Sequence, residues 1–375
     1  MQKRYKVFFK MDDWNYCQQT LPKVSRTFAL NIKVLQGELY RSVLIAYLFC
    51  RTIDTVEDAT ELDPKIKIKL LLEFSRLIEN TNYRQSHLDS WARDCALVDG
   101  SINDLDLLKN IKRVFNIFDS LKENHQNQII PSVSKMAKGM AHFQSRFQFG
   151  EITPLEDEKD LEEYCYFVAG VVGEMLCNLF LQKLSSLSHQ TKKIMKENAV
   201  SFGLGLQMTN ISKDIMADRD RGWSYIPKSL IISNGLTVDE FHSGKSVDKN
   251  LQILENLLCK TNAHLKDALK FTLAIPRSEI SLRLFCIWPL WMAMKTVAAL
   301  HNNPALLKSN APIKIPRSQV KRILLATPLM AWSNSLLKFS FDNILGKKEF
   351  QGYPDFDLKG LHQRLGKILI NIQSI

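Results

Sequence analysis

The segment from Val43 to Asp58 constrains the fold more than any other. Val43 to Cys50 reads VLIAYLFC, apolar all round, and a helix of that kind is stable only when protein surrounds it on every side. Asp54, Glu57 and Asp58 follow at spacings of three and four, which puts the three acids on one helical face. Acids at the end of a buried helix are expected to face an internal cavity. There they need a partner, because unpaired buried carboxylates are costly.

The rest of the chain supplies the surroundings. At 375 residues, 45% hydrophobic and 24% charged with 15 Gly, it can form one large core or two modest ones. Helical periodicity dominates from Lys23 onward. In the segment 66–80, Ile66, Leu70, Phe74, Leu77 and Ile78 recur at helical spacing behind an Asp63-Pro64 start signal. Similar patterns cover 106–122, 131–148, 158–185, 190–217, 249–274, 279–300, 317–343 and 358–372, with breaks at 150–154, 218–227, 242–247, 302–312 and 346–354. Without repeats or a Gly/Ser linker, the expectation is a single all-α domain over 1–375, with a body at 14–345 and a basic tail at 346–375. The longest apolar stretch, Leu284 to Leu300, is interrupted by Pro289 and Lys295 and reads as a buried core helix rather than a membrane span.

A net charge of +11 suggests nucleic acid, an anionic membrane or a polyanionic substrate. The surplus lies at the ends: residues 1–10 hold four basic groups and no acid, and residues 306–375 hold eleven against four. Residues 11–305 balance, which disfavours a nucleic-acid-binding face and suits a peripheral contact with an anionic membrane. Seven scattered Cys without a C-x-x-C pair read as buried free thiols of a reducing compartment. The N-terminus lacks the apolar core of a secretory signal, so the expected location is cytoplasmic, with peripheral attachment at the inner face of a membrane.

A second acidic helix repeats the theme of the first. In the stretch from Ala199 to Pro227, Gln207, Asn210, Asp214 and Asp218 share one face, behind Gly203 and Gly205, which permit close helix packing. Two oxygen-rich sets, each following an apolar run, suit Mg²⁺ held between carboxylates and substrate phosphates, with Arg51 and Lys213 as cationic partners of a diphosphate. Without a mixed Cys/His cluster, zinc is not expected.

DTVED at 54–58, YCYFVAGVVGEM at 164–175 and LQMTNISKDIMAD at 206–218 resemble the signature segments of the squalene/phytoene synthase family. VSRTFALNI (24–32), KMAKGMAHF (135–143), FCIWPLWMA (285–293) and IKIPRSQ (313–319) are similar to its squalene-forming branch, in the same order over roughly residues 14–325. The resemblance implies an all-α isoprenoid-synthase fold whose acidic helices face each other across a deep cavity. It also implies head-to-head coupling of two farnesyl diphosphates to presqualene diphosphate, then reduction by NADPH to squalene. Ionising an allylic diphosphate calls for metal-bridged carboxylates at one end and a dry, non-nucleophilic channel at the other.

By the same resemblance, Asp54, Glu57 and Asp58 match the first metal motif, and Asp214 and Asp218 with Asn210 the second, with Gln207 a neutral substrate-binding partner. Tyr47 and Arg51 match diphosphate-site positions, Tyr164 the cavity tyrosine of the first half-reaction, and Phe28 and Phe285 cation-shielding aromatics. Ser25 and Arg26 match a flap near NADPH, and Lys314 with Arg317 a basic loop suited to its 2′-phosphate. Gly170 and Gly173 read as helix-packing positions. Lys213 stands where the family commonly has Arg, Trp223 where a basic residue is usual, and Leu290 where many eukaryotic members have Gln. Arg219 or Arg221 is the candidate to replace the missing basic contact. The membrane-spanning tail of eukaryotic members has no counterpart in the pattern, and a soluble or peripheral monomer is expected. The alternatives are a synthase that stops at presqualene diphosphate or makes a dehydrosqualene- or phytoene-type product without reductant, and a catalytically inactive scaffold protein.

Overall fold

Asp63 and Pro64 begin a helix where the sequence puts one: the Asp63 carboxylate accepts from Lys65 N and Pro64 sits in the first turn. The computed structural model describes residues 2–148, 150–307, 313–346, 348, 350 and 352–372, with side chains outside 2–11, 26, 306 and 307. Among the described residues, regular structure is helical apart from one parallel pairing of Thr153–Pro154 with Trp223–Ser224. The chain divides into two compact units.

The first unit comprises Met1–Arg146, Met175–Ser185 and Ile368–Ile375. Its helices are α1 (Gln2–Val24), α2 (Arg26–Lys33), α3 (Gly37–Asp58), α4 (Pro64–Glu79), α5 (Thr81–Asp94), α6 (Ile102–Lys109), α7 (Ile111–Phe118) and α8 (Glu123–Gln144). The apolar run of α3 is enclosed as expected, with Leu44, Ile45, Leu48 and Phe49 fully buried. Phe49 packs on Phe74, Phe115 and Phe118 with ring centroids 5.9, 4.7 and 5.4 Å away. The pattern at 106–122 resolves into two helices meeting at Asn110, because Ser101 caps α6 four residues earlier than periodicity suggests. The helix expected from Pro131 instead starts at Glu123 and runs through the proline, which faces solvent where its unpaired carbonyl partner can be hydrated.

The second unit comprises Phe147–Glu174 and Ser186–Lys367. α9 (Glu158–Cys165) passes through a π-helical turn at Tyr166–Gly170 into α10 (Val171–Lys183), of which the residues from Met175 onward are counted with the first unit. There follow α11 (His189–Asp220), α12 (Lys228–Ser233), α13 (Val238–Ser243), α14 (Val247–Ala274), α15 (Ile280–Leu300), α16 (Arg317–Met330), α17 (Asn334–Leu345) and α18 (Leu358–Ile372). α11 crosses the π turn at contact distance. A Cβ on Gly203 would overlap the Ala169 carbonyl, and one on Gly173 the Ala199 carbonyl, so these glycines serve close packing. The pattern at 317–343 is two helices, turned by Ala331–Ser333 with Ser333 capping the second.

α15 and the span Glu158–Lys183 are long and apolar enough to cross a membrane, but 61% and 56% of their apolar windows are buried in protein. The second of these is not evident from the longest apolar run. No disulfide links any of the seven cysteines, and all but Cys259 are buried. The basic tail folds in part as α18, with Leu361 and Leu365 buried and Arg364 bonded to Glu163 at 2.6 Å and Glu162 at 2.8 Å. Lys260 of α14 completes that cluster, 3.0 Å from Glu158 and 2.9 Å from Glu162.

Candidate functional site

In the first unit, the exit of α3 from the core sets the geometry. Arg51, at the start of its last two turns, donates Nε and Nη2 to the two oxygens of Asp104, 2.8 and 2.9 Å away. Asp104 is itself held: it sits three residues past the cap Ser101, whose hydroxyl donates to it at 2.6 Å. Burial would raise the Asp104 carboxyl, but the bonds from Arg51 and Ser101 outweigh it and hold it below the usual range. The Arg51 guanidinium is thereby fixed in one orientation beside the acids. Asp104 is not singled out by the sequence reading, although the Ser101-x-x-Asp104 spacing is a capping signal.

Asp54, one turn beyond Arg51's neighbourhood on the same helix, is half-buried. Desolvation, and then the charge of Asp58, push its carboxyl up to about 7, against the opposing pull of Arg51. Two carboxylates crowded in this way, with one cation already committed to Asp104, form a donor set that a divalent cation would relieve. The three acids of this face differ in surroundings: Asp54 is half-buried, Glu57 buried and Asp58 exposed. Lys67 donates to the Glu57 carbonyl at 3.1 Å.

Tyr47, one turn before Arg51, meets Phe28 of α2 with ring centroids 5.6 Å apart. Burial pushes its hydroxyl up to about 12. Ser25 caps α2 by accepting from Phe28 N at 3.2 Å, and it is one of the groups that act on the Tyr47 hydroxyl, pulling against the effect of burial. Ser25, Phe28, Tyr47, Arg51 and Asp54 therefore form one connected cluster. The side chain of Arg26 lies outside the described residues.

In the second unit, the face of α11 presents Gln207 half-buried, Asn210 exposed, Asp214 half-buried and Asp218 buried. Lys213 Nζ lies 2.6 Å from Asp214, and Arg221 is bonded to Asp218. Of the two arginines that could supply the missing basic contact, Arg221 is the one on the acidic face. Arg219 turns to Asp220 and the His242 carbonyl. Among the described residues no three of His, Cys, Asp and Glu converge into a ready-made metal set.

Tyr164 is buried on α9 and stacks on Tyr225 at 4.5 Å and 22°. Tyr225 stacks in turn on Trp223 at 5.7 Å and 4°, and Trp223 meets Phe147 at 5.4 Å. Trp223 thus extends an aromatic column rather than offering a charge. Gly222, at φ +83 and with Phe147 3.1 Å from where a Cβ would sit, makes the turn that delivers Trp223. Tyr225 is a further residue the sequence reading does not select. Phe285 is buried on α15, and Lys314 and Arg317 are exposed before and at the start of α16. A cleft of about 540 Å³ walled by Glu158, Lys260, His264 and Tyr353 holds none of the sequence-predicted residues.

A family model described as squalene/phytoene synthase matches residues 21–319. The chain belongs to that family. The squalene synthase of Eremothecium gossypii is 31% identical over 304 residues, covering 80% of this chain and 64% of that protein. That of Bos taurus is 29% identical over 328 residues, covering 86% and 73%. The chain spans just under two thirds of the first relative's length and 66% of the Candida albicans squalene synthase.

The solved complex of TcSQS with the ligand BPH1237 superposes with a TM-score of 0.74 at 24% identity, over 97% of this chain and 99% of that one. The squalene synthase HpnC from Alicyclobacillus acidocaldarius gives 0.54 at 15%, over 79% and 95%. The all-α expectation and the family are thus both borne out. Every residue discussed in the two clusters of this squalene/phytoene synthase family member, Asp104 and Tyr225 included, lies within the matched segment.

Proposed function

We propose that this chain is a squalene synthase, joining two farnesyl diphosphates through presqualene diphosphate and reducing that intermediate with NADPH to squalene. The observation that carries the reading is the acidic end of α3, where Asp54 and Asp58 crowd together beside a guanidinium locked by Asp104. Such a group recognises a polyanion that arrives with its own divalent cation. The family membership and the relatives named squalene synthase support it.

Asp54, Glu57 and Asp58 would hold Mg²⁺ in the first unit, and Asn210, Asp214 and Asp218 in the second. Bound there, Mg²⁺ would supply charge neutralisation for a departing diphosphate. Arg51 binds diphosphate oxygens in a fixed orientation, with no rotamer search at the moment of bond breaking. Lys213 and Arg221 add local positive charge on α11, and Gln207 a neutral oxygen partner for the substrate. The Tyr164 hydroxyl, backed by the Tyr225 and Trp223 rings, is the proton-handling group for the first half-reaction. The column also offers ring faces to a carbocation without offering a nucleophile. Phe28 on Tyr47, and Phe285, do the same. Lys314 and Arg317, exposed in a segment with no Asp or Glu from 280 to 341, fit a phosphate-bearing reductant such as NADPH, with Ser25 and Arg26 as the flap residues.

The test is incubation of the protein with farnesyl diphosphate and Mg²⁺, with and without NADPH, followed by product analysis. Squalene is expected only with NADPH and presqualene diphosphate without it; one identical product in both tubes would sink the reading. Chelation should stop consumption of farnesyl diphosphate and added Mg²⁺ restore it. Asp54→Asn and Asp214→Asn should each abolish turnover with unchanged helical circular dichroism.

A further inference from the structure

The pair α16 and α17 has two apolar faces, and only one has a partner within the second unit. The inner face holds Ile323, Thr327, Ala331, Leu337 and Phe341, all buried. It docks on α15: Trp288 Nε1 donates to Thr327 at 2.9 Å, Trp291 Nε1 donates to Ser340 at 3.0 Å, and the Trp291 and Phe341 rings lie 5.7 Å apart. The outer face carries Leu325, Leu329, Trp332, Leu336 and Phe339, which are 77, 81, 61, 50 and 69% exposed. Leu325 and Leu329 are one turn apart on α16, and Leu336 and Phe339 three residues apart on α17, so each helix presents a row.

Exposed side chains of this size within fifteen consecutive residues mark a contact site rather than the scatter normal for a surface. The charge around them says what they contact. Lys314, Arg317, Lys321, Arg322 and Lys338 are all exposed, and no Asp or Glu occurs between 280 and 341. Arg322 lies three residues before Leu325 on α16, so cations flank the apolar rows. A second copy of the same face would bring these cations against each other. A surface with an apolar interior and a negative skin satisfies both features, and Trp332 at the turn is the residue type that settles at such a boundary.

We infer that α16 and α17 form an in-plane docking hairpin for an anionic lipid bilayer, with Leu325, Leu329, Trp332, Leu336 and Phe339 entering the headgroup boundary and Lys321, Arg322 and Lys338 meeting the lipid phosphates. This contact needs no spanning helix. It assigns the surface attraction to one short segment within the basic stretch 306–375.

The experiment is co-sedimentation of the full chain with phosphatidylcholine vesicles, with and without phosphatidylglycerol. Wild type is expected in the pellet only with the anionic lipid. The triple variant Lys321→Glu, Arg322→Glu and Lys338→Glu should bind on the order of 100-fold more weakly, since each basic residue near lipid contributes about 1 kcal/mol. Leu325→Ser with Leu329→Ser and Phe339→Ser should also release the protein, at unchanged circular dichroism. The inference is overturned by equal binding to neutral vesicles, by no binding to either, or by variants that pellet like wild type. It is also overturned if sedimentation velocity without lipid shows a dimer that the serine variant dissociates, since the outer face then belongs to a second copy. Farnesyl diphosphate consumption in detergent, expected to be unchanged in both variants, separates a failure here from a failure of the proposed reaction.

Discussion

Replacing Asp104 with Asn isolates the role of the Arg51 lock. The substitution keeps the shape and one acceptor oxygen but removes the charge and one arm of a two-armed pair. Hydrogen bonds to charged groups are worth about 1.5 to 3 kcal/mol. The Asp104 side chain is 8% exposed and that of Arg51 29%, so solvent screens the pair only in part. With one bond surviving, the expected loss of stability is about 1 to 2 kcal/mol, or a drop of a few degrees in Tm.

Because the Asp104 carboxyl is held below the usual carboxylate range, its contribution is complete at neutral pH. It is lost as pH falls below that range through the lowered value, so the Asn variant should show a flatter acid limb in a plot of stability against pH. The functional effect should be larger than the structural one. An unlocked guanidinium costs orientation, and kcat/KM for farnesyl diphosphate should fall 10-fold or more. The decisive measurement is a double-mutant cycle. With Arg51→Met already present, Asp104→Asn should cause no further loss of turnover. If the two losses multiply, Asp104 acts by some route other than Arg51, and the positioning argument is refuted.

Three other outcomes follow from the packing and the buried histidines. Gly203→Ala should destabilise the protein despite the roughly 1 kcal/mol that alanine gains in a helix, because its Cβ overlaps the Ala169 carbonyl; a rise in Tm would deny the close crossing. Tyr225→Leu should lose about 0.5 to 1.5 kcal/mol of stacking and lower kcat, whereas Tyr164→Phe should keep Tm and lose turnover; urea denaturation and product formation measure the two effects. Burial, and then Arg219, hold His242 down to about 4, and burial, then Lys260, hold His264 down to about 3. The folded state binds these protons less readily than the unfolded one, so stability should fall from pH 6.5 down to about 4 for His242 and about 3 for His264, by about 2 kcal/mol per histidine at pH 5. His242→Gln should reduce that slope in urea titrations at pH 7 and pH 5.

What the sequence reveals is local. The buried run of α3, the Asp63-Pro64 start of α4 and the acidic rows of α3 and α11 all depend on residues three or four apart, where helical geometry forces adjacency. The Arg51 partnership spans 53 positions and the Arg364 contact with Glu162 about 200, so neither leaves a periodic trace. The same reason hides the second face of α16 and α17: periodicity counts apolar positions but does not say which of two rows finds a neighbour. Trp223 reads as a departure when considered alone. Its meaning appears only with Tyr225 and Phe147 on either side.

The π turn at Tyr166–Gly170 has a consequence for how this molecule can change. Such a turn holds one residue more than an α-helix would, so everything before it is rotated by about 100° relative to everything after it. Gly170 and Gly173 lock the later part to α11, while Tyr164 sits on the earlier part. Deleting a single residue, for instance Val168, would leave an unbroken and intrinsically favourable helix. It would also swing the tyrosine a quarter-turn or more out of line with Tyr225. The extra residue works as a phase shifter, and the length of this segment is fixed to the residue even where its chemistry is free to vary.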